Sequence, residues 1–189
     1  MPKAYAPPSL TLPVGDRDHS EGAPDASMVL VEYGDYQCPY CGAAYPVVKR
    51  IEKDLGSDLR FVFRNFPLTN SHPQAEWAAE TAEAASAQGK FWPMHDFLYE
   101  NQRFMGDAAY FTLYETKLKL DVTRIGEEVA QRAYSARIQE DFMSGVRSGV
   151  NGTPTFFING IRYDGAPELG SMVSALKVAS KTPRRRART

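Results

Sequence analysis

At 189 residues with 43% hydrophobic content, the chain suits one domain, or one domain carrying an insertion, and it needs no disulfide framework to hold a core. A formal net charge of -1 argues against whole-molecule attraction to nucleic acid or to an anionic membrane. The opening MPKAYAPPSLTLPVGDRDHSEGAP has no continuous apolar core or small-residue cleavage site, and no run of about 18 apolar residues occurs, so no membrane insertion is expected.

Residues 1–24 read as an N-terminal extension. MVLVEYGD (28–35) is a near-continuous apolar run ending at Gly and Asp, the pattern of a central strand buried on both faces. Directly after it Cys38 takes a helix-cap position and Pro39 the first helical position, where a missing N–H costs nothing. The helix is expected to run to about Leu55, with Cys41, Ala44, Val48, Ile51 and Leu55 on one face, a kink at Pro46 and a stop at Gly56. LRFVFRNF (59–66) sets Leu59, Phe61 and Phe63 against Arg60, Val62 and Arg64 and reads as the next strand. Strand, helix and strand in this order make a parallel βαβ unit, so residues 25–66 form the first half of an α/β fold.

From residue 67 to 149 the periodicity is helical, as in a helical layer inserted into that frame. Ser71 and Gln74 resemble a capping box before an Ala-rich helix from Gln74 to Gln88. Further helices are expected over 91–101, 107–120, 121–130 and 133–147. The frame resumes over residues 150–180. Asn159-Gly160 between TFFI and IRY is a hairpin signal, and a last amphipathic helix follows over about 167–179. The basic tail over 181–189 reads as a solvated terminus rather than a nucleic-acid or membrane contact, because its five Arg and Lys residues have no aromatic interleaving.

The two cysteines stand three positions apart and are the only ones in the chain. A structural zinc site would need four ligands, and here there is no second CxxC and no closely spaced His pair, only His19, His72 and His95. Two inert core cysteines would not need a preceding strand or a Pro at the first helical position. In Cys-x-x-Cys at a helix start, the first sulfur faces unpaired N–H groups and the positive end of the helix dipole, so its thiolate is stabilised. The second, one turn later, can resolve a mixed disulfide. Cys38 is therefore expected to be the exposed, attacking thiol and Cys41 the inner, resolving one.

The strand VLVEYGDYQ running into CPYC, the helical insertion, and GVNGTPTFFING returning to the second half together resemble the DsbA-like branch of the thioredoxin superfamily, over about residues 25–180. CPYC alone is also similar to glutaredoxins, which lack so long an insertion. Chromene-carboxylate isomerases share the architecture but are not expected to carry a Cys pair. The resemblance implies a thioredoxin fold with an inserted helical domain and thiol–disulfide oxidoreductase activity. It also implies a cis Thr153-Pro154 peptide facing the cysteines, after Gly152, with a backbone edge free for an extended substrate. Pro39, Tyr40, Gly152, Thr153 and Pro154 are then candidate substrate contacts.

The resemblance further implies that Glu32 moves protons at the inner cysteine. Its raised pKa if buried would suit that role; the other reading is a carboxylate that reaches solvent or an Arg such as Arg64. Tyr40 stands where the strongest oxidants have His, and Thr153 where they have Val. The redox potential is therefore expected between the thioredoxin and DsbA limits, about -270 and -120 mV. His72 and His95 read as cap or packing residues, and Phe91, Trp92 and Met94 as core or as groove lining.

No metal or bound organic cofactor is implied. The expected partners are protein or peptide thiol and disulfide substrates, together with a redox partner such as glutathione or a thioredoxin-like reductant. As the chain stands a cytoplasmic location is expected; a lost signal peptide would make it periplasmic or otherwise extracytoplasmic. The rival readings are a glutaredoxin-like, glutathione-dependent reductase and a chaperone-like peptide-binding module with incidental cysteines. Whether the net direction is oxidation, reduction or isomerisation stays open.

Overall fold

The computed structural model describes residues 8–181. The basic tail, apart from Lys181, and the first seven residues of the N-terminal extension lie outside the described residues. Strand β1 (His19–Gly22) is followed by β2 (Met28–Gly34), helix α1 (Pro39–Leu55) and β3 (Leu59–Asn65). A helical layer follows: α2 (Ala75–Ser86), α3 (Phe91–Glu100), α4 (Ala108–Lys117), α5 (Val122–Ala130) and α6 (Ser135–Arg147). Strands β4 (Thr155–Ile158) and β5 (Ile161–Tyr163) and helix α7 (Leu169–Ser180) complete the fold.

The strands form one sheet in the order β1-β3-β2-β4-β5. β2 and β3 run parallel, while β1 and β4 are antiparallel to their neighbours. All seven residues of β2 are buried, as an apolar strand flanked on both sides requires. Side chains alternate along it. Met28 and Leu30 face a core shared with Val48 and Ile51 of α1, Met94 of α3 and Met172 of α7. Val29, Val31 and Tyr33 face a second core with Val62, Phe66, Val150 and Phe157. The hairpin at Asn159-Gly160 has positive φ at both positions, 48° and 86°, which suits Asn followed by Gly.

Three features differ from the sequence expectations. β1 lies within the segment that reads as an extension and pairs with β3, so part of that segment belongs to the sheet. No side-chain cap starts α2: its position is set by the Gln37 side-chain oxygen, which accepts the Gln74 N–H at 2.6 Å, a contact across 37 residues that no local pattern reports.

The third is that β3 does not present a polar face. Arg64 is fully buried in the second core's surroundings. Its guanidinium donates to both carboxylate oxygens of Asp18 at 2.9 and 3.1 Å, to the Tyr33 hydroxyl at 2.8 Å, and to the Leu12 and Pro13 carbonyls at 3.0 and 3.2 Å. Burial would raise the Asp18 pKa, but the hydrogen bonds and charge of Arg64 hold it below its ordinary value. The pair stitches the N-terminal segment to the sheet.

Removing one member of a buried pair strands the other charge. Asp18→Ala is expected to lower the unfolding free energy by about 3 kcal/mol in urea denaturation.

Candidate active site

The turn between β2 and α1 is built by a buried aspartate. The Asp35 carboxylate accepts the Gln37 and Leu68 N–H groups, both at 2.8 Å, and lies 2.7 Å from His72 Nδ1. From the opposite side Gln102 donates to the Tyr36 and Cys38 carbonyls at 2.8 and 2.9 Å. Cys38 is thereby held at the N-cap of α1, with extended backbone angles and Pro39 next. Sequence reasoning passed over both Asp35 and Gln102. Asp35 had a signal, a polar residue at a strand end, whereas Gln102 had none.

The Cys38 thiol donates to the Thr153 carbonyl at 3.3 Å, and the Asp35 N–H donates to Cys41 Sγ at 3.5 Å. The Thr153–Pro154 peptide is cis. Cys38 is not the exposed thiol the sequence suggests: its relative exposure is 3%, because the Thr153 segment lies against it, compared with 0% for Cys41. The two sulfurs nevertheless differ sharply in acidity. A hydrogen bond from Cys41, opposed by burial and helped by Thr153 and the Cys41 and Tyr40 N–H groups, brings Cys38 down to about 5. Burial, then the bond to Cys38 and the charge of Glu32, pushes Cys41 well above the ordinary thiol value.

Glu32 lies beneath the pair and is 2% exposed. Its Oε1 has no hydrogen-bond partner, and burial, followed by the charges of Glu52 and Cys38, lifts its pKa to about 8. The reading in which it reaches solvent or Arg64 fails, because Glu32 is buried and Arg64 is committed to Asp18, Tyr33 and two carbonyls. Glu52, which sequence reasoning did not select, lies on α1 with Lys49 Nζ 3.0 Å away; burial raises it to about 7. His95 is buried with Nδ1 at 3.1 Å from the Tyr36 hydroxyl, and burial holds it in the neutral form.

Beside Cys38 runs a groove of about 440 Å³ lined by Tyr40, Ala43, Pro154, Phe156, Tyr163 and Pro167 among others. Tyr40 is 74% exposed at its lip. Thr153 and Pro154 line the groove, whereas Gly152 does not; its carbonyl accepts the Thr155 hydroxyl at 2.7 Å. Pro39 is exposed but outside the lining. Phe91, Trp92 and Met94 do not line it either: they pack in the core around α3 and His95. Among the described residues, no group of three His, Cys, Asp or Glu side chains is placed to hold a metal ion.

Residues 15–178 match the thioredoxin family. The chain belongs to that family. It has the architecture of the DsbA-like thioredoxin proteins. Its fold is similar to that of oxidised BdbD from Bacillus subtilis, with a TM-score of 0.77, 21% identity, and coverage of 94% of this chain and 97% of that one. A thioredoxin-like oxidoreductase from Silicibacter pomeroyi DSS-3 gives a TM-score of 0.74 and 25% identity over 89% of this chain and 95% of that one. Wolbachia pipientis α-DsbA1 gives 0.75 and 19% over 90% and 94%. Among curated proteins, Na(+)/H(+) antiporter NhaA 1 of Salinispora arenicola is 43% identical over 180 residues, which are 95% of this chain and 27% of that protein. The chain thus spans about a quarter of the length of that relative, and of similarly named Mycobacterium proteins that are 39% identical over 90% of this chain.

Iodoacetamide is expected to label reduced Cys38 with a rate that rises through about pH 5, and Cys41 far more slowly near neutral pH, as read by peptide mass spectrometry. Equal rates would contradict the asymmetry. For Glu32 the folded pKa lies above the ordinary 4.5, so folding takes up a proton between pH 4.5 and about 8. This group's contribution is fully present below 4.5 and lost as the pH rises through about 8. Glu32→Gln should therefore raise the melting temperature of the reduced protein at pH 8 and change it little at pH 4.

Proposed function

We propose that the protein is a thiol–disulfide oxidoreductase exchanging disulfides with protein or peptide substrates. The observation that carries this reading is the placement of two sulfurs one helical turn apart, Cys38 at the N-cap of α1 against the Thr153 carbonyl and Cys41 sealed in the core, which opposes their acidities. The Cys38 thiolate attacks a substrate disulfide, forming a mixed disulfide and releasing one substrate thiolate. Glu32 as a carboxylate takes the Cys41 proton, and the Cys41 thiolate attacks Cys38 Sγ. This step forms the Cys38–Cys41 disulfide and releases the second substrate thiolate. The substrate gains two electrons and the protein loses two; run backwards, the same steps oxidise a dithiol substrate. A pKa of about 8 leaves Glu32 able to accept and return a proton near neutrality.

The groove supplies the substrate site. Its mixed lining, with Ala43, Pro154 and Phe156 beside Arg162 and Asp164, takes side chains flanking the substrate cysteine, and the backbone at 153–155 offers an edge for an extended segment. A redox partner such as glutathione or a thioredoxin-like protein resets the pair. Cation antiport is not proposed for these residues, because among those described no helix is long and apolar enough to cross a membrane.

Cys41→Ser is expected to accumulate a mixed disulfide when given a disulfide-bonded peptide, releasing one peptide thiol and visible on non-reducing gels, while Cys38→Ser should lose turnover of the same substrate. Full activity in Cys38→Ser would overturn the reading in favour of a peptide-binding module with incidental cysteines.

A further inference from the structure

The floor beneath Cys41 holds a second polar group that the exchange steps above leave unused. Gly34 follows Glu32 by two residues on β2, so the two positions face the same side of the sheet. A Cβ built at Gly34 would lie 2.7 Å from the Tyr99 hydroxyl oxygen and 2.4 Å from the Phe63 ring. Glycine is required there because the Phe63 ring and the Tyr99 hydroxyl together occupy the space a side chain would fill. The next residue, Asp35, donates its N–H to Cys41 Sγ. The hydroxyl thus lies against Gly34, two residues after Glu32 on β2 and one before the Asp35 N–H that donates to Cys41.

Both Tyr99 and Glu32 are buried, at 5% and 2% exposure, and the Tyr99 hydroxyl and Glu32 Oε1 each lack a hydrogen-bond partner. A stranded donor and a stranded acceptor in one apolar floor are costly apart and satisfy each other together, directly or through one water. The position of the hydroxyl is set by its ring, whose centroid lies 4.9 Å from that of Tyr36, 5.1 Å from His95 and 5.4 Å from Tyr45. Burial and the charges of Cys41 and Glu32 keep the phenol protonated, so it acts as a donor toward either anion.

We infer that Tyr99 is a positioning residue for the proton transfer at Cys41, its hydroxyl donating to the Glu32 carboxylate, directly or through one water, once that carboxylate forms, and so setting the pH at which it does. The inference rests on the exchange reading above. The titratable groups facing Glu32 are Cys38, Cys41 and Glu52 from α1, Tyr36 from the turn and Tyr99 from α3, and Asp35 also faces Tyr99. β3 and β4 place only Phe63 and Phe156 in register with Glu32, and the buried residues of α7 are Met172 and Leu176. Among these groups Tyr99 supplies a fixed donor that stays neutral. Its loss leaves the carboxylate harder to form.

The test follows release of glutathione from the Cys38–glutathione mixed disulfide by stopped-flow across the neutral to alkaline range. Tyr99→Phe, which removes one oxygen from a buried ring, should move the acid limb of the resolving step upward by about one pH unit. In a Glu32→Gln background the same substitution should add no shift. A hydroxyl that is only structural leaves the limb where it is in the wild type, and that result would overturn the inference. Wild type that releases no glutathione at any pH overturns the exchange reading and this inference with it; wild-type release with an unmoved Tyr99→Phe limb overturns the inference alone. A measurement on the unsubstituted protein decides independently of whether the variant folds. The 13C shift of the labelled Tyr99 ring carbon that bears the hydroxyl should follow the Glu32 titration and stay flat in Glu32→Gln; no titration-linked movement in the wild type counts against the contact.

Discussion

Cys38 and Cys41 share a hydrogen bond across one turn of α1, and that contact makes one sulfur acidic at the other's expense. Cys38 also receives the first N–H groups of the helix, while Cys41, in the same turn, is sealed in the core and has the Asp35 N–H as its backbone donor. The arrangement needs a helix that begins at one defined residue. Asp35 and Gln102 provide this by holding the turn from two sides, and Pro39 adds a fixed backbone angle at no cost in hydrogen bonds.

Adjacent strands carry two buried charged residues that the fold treats in opposite ways. Arg64 on β3 faces the second core and is neutralised by Asp18, with its remaining donors taken up by carbonyls and a hydroxyl. Glu32 on β2 faces the site and has no cation against it. The first charge is part of the architecture, because its ionisation is locked. The second is chemically available, because burial without a counter-charge brings its two protonation states close in free energy near neutral pH.

The helical layer contributes more than cover. Helix α3 sends His95 and Tyr99 into the floor under the cysteines, and rings from β3, α1 and the Tyr36 turn pack around them. This aromatic layer excludes water from Glu32 and Cys41 and so sustains the desolvation that raises both. The groove proposed for substrate is formed elsewhere, by α1, the cis peptide and the segment from β5 to α7. The buried acid and the proposed substrate groove therefore lie in different parts of the structure around the same helix start.

The motif and its surroundings were legible in the chain itself, since a strand, a capped helix and a hairpin are all encoded by neighbours in sequence. An apolar run ending at Gly34 and Asp35, Pro39 behind Cys38, and Asn159 before Gly160 each carry a local signal, and β2, α1 and the β4–β5 turn form where those signals fall. Burial on the far side of a strand carries no such signal. The pattern of β3 left Arg64 on a polar face because its partner Asp18 lies 46 residues away and arrives only when the N-terminal segment packs on the sheet. The start of α2, the coverage of Cys38 by Thr153, the groove lined by the β5–α7 segment, and the meeting of Tyr99 with Gly34 likewise depend on contacts between distant residues. Residue type and spacing determined which atoms could do the chemistry; three-dimensional packing decided which were desolvated and which were paired, and those two quantities set their acidity.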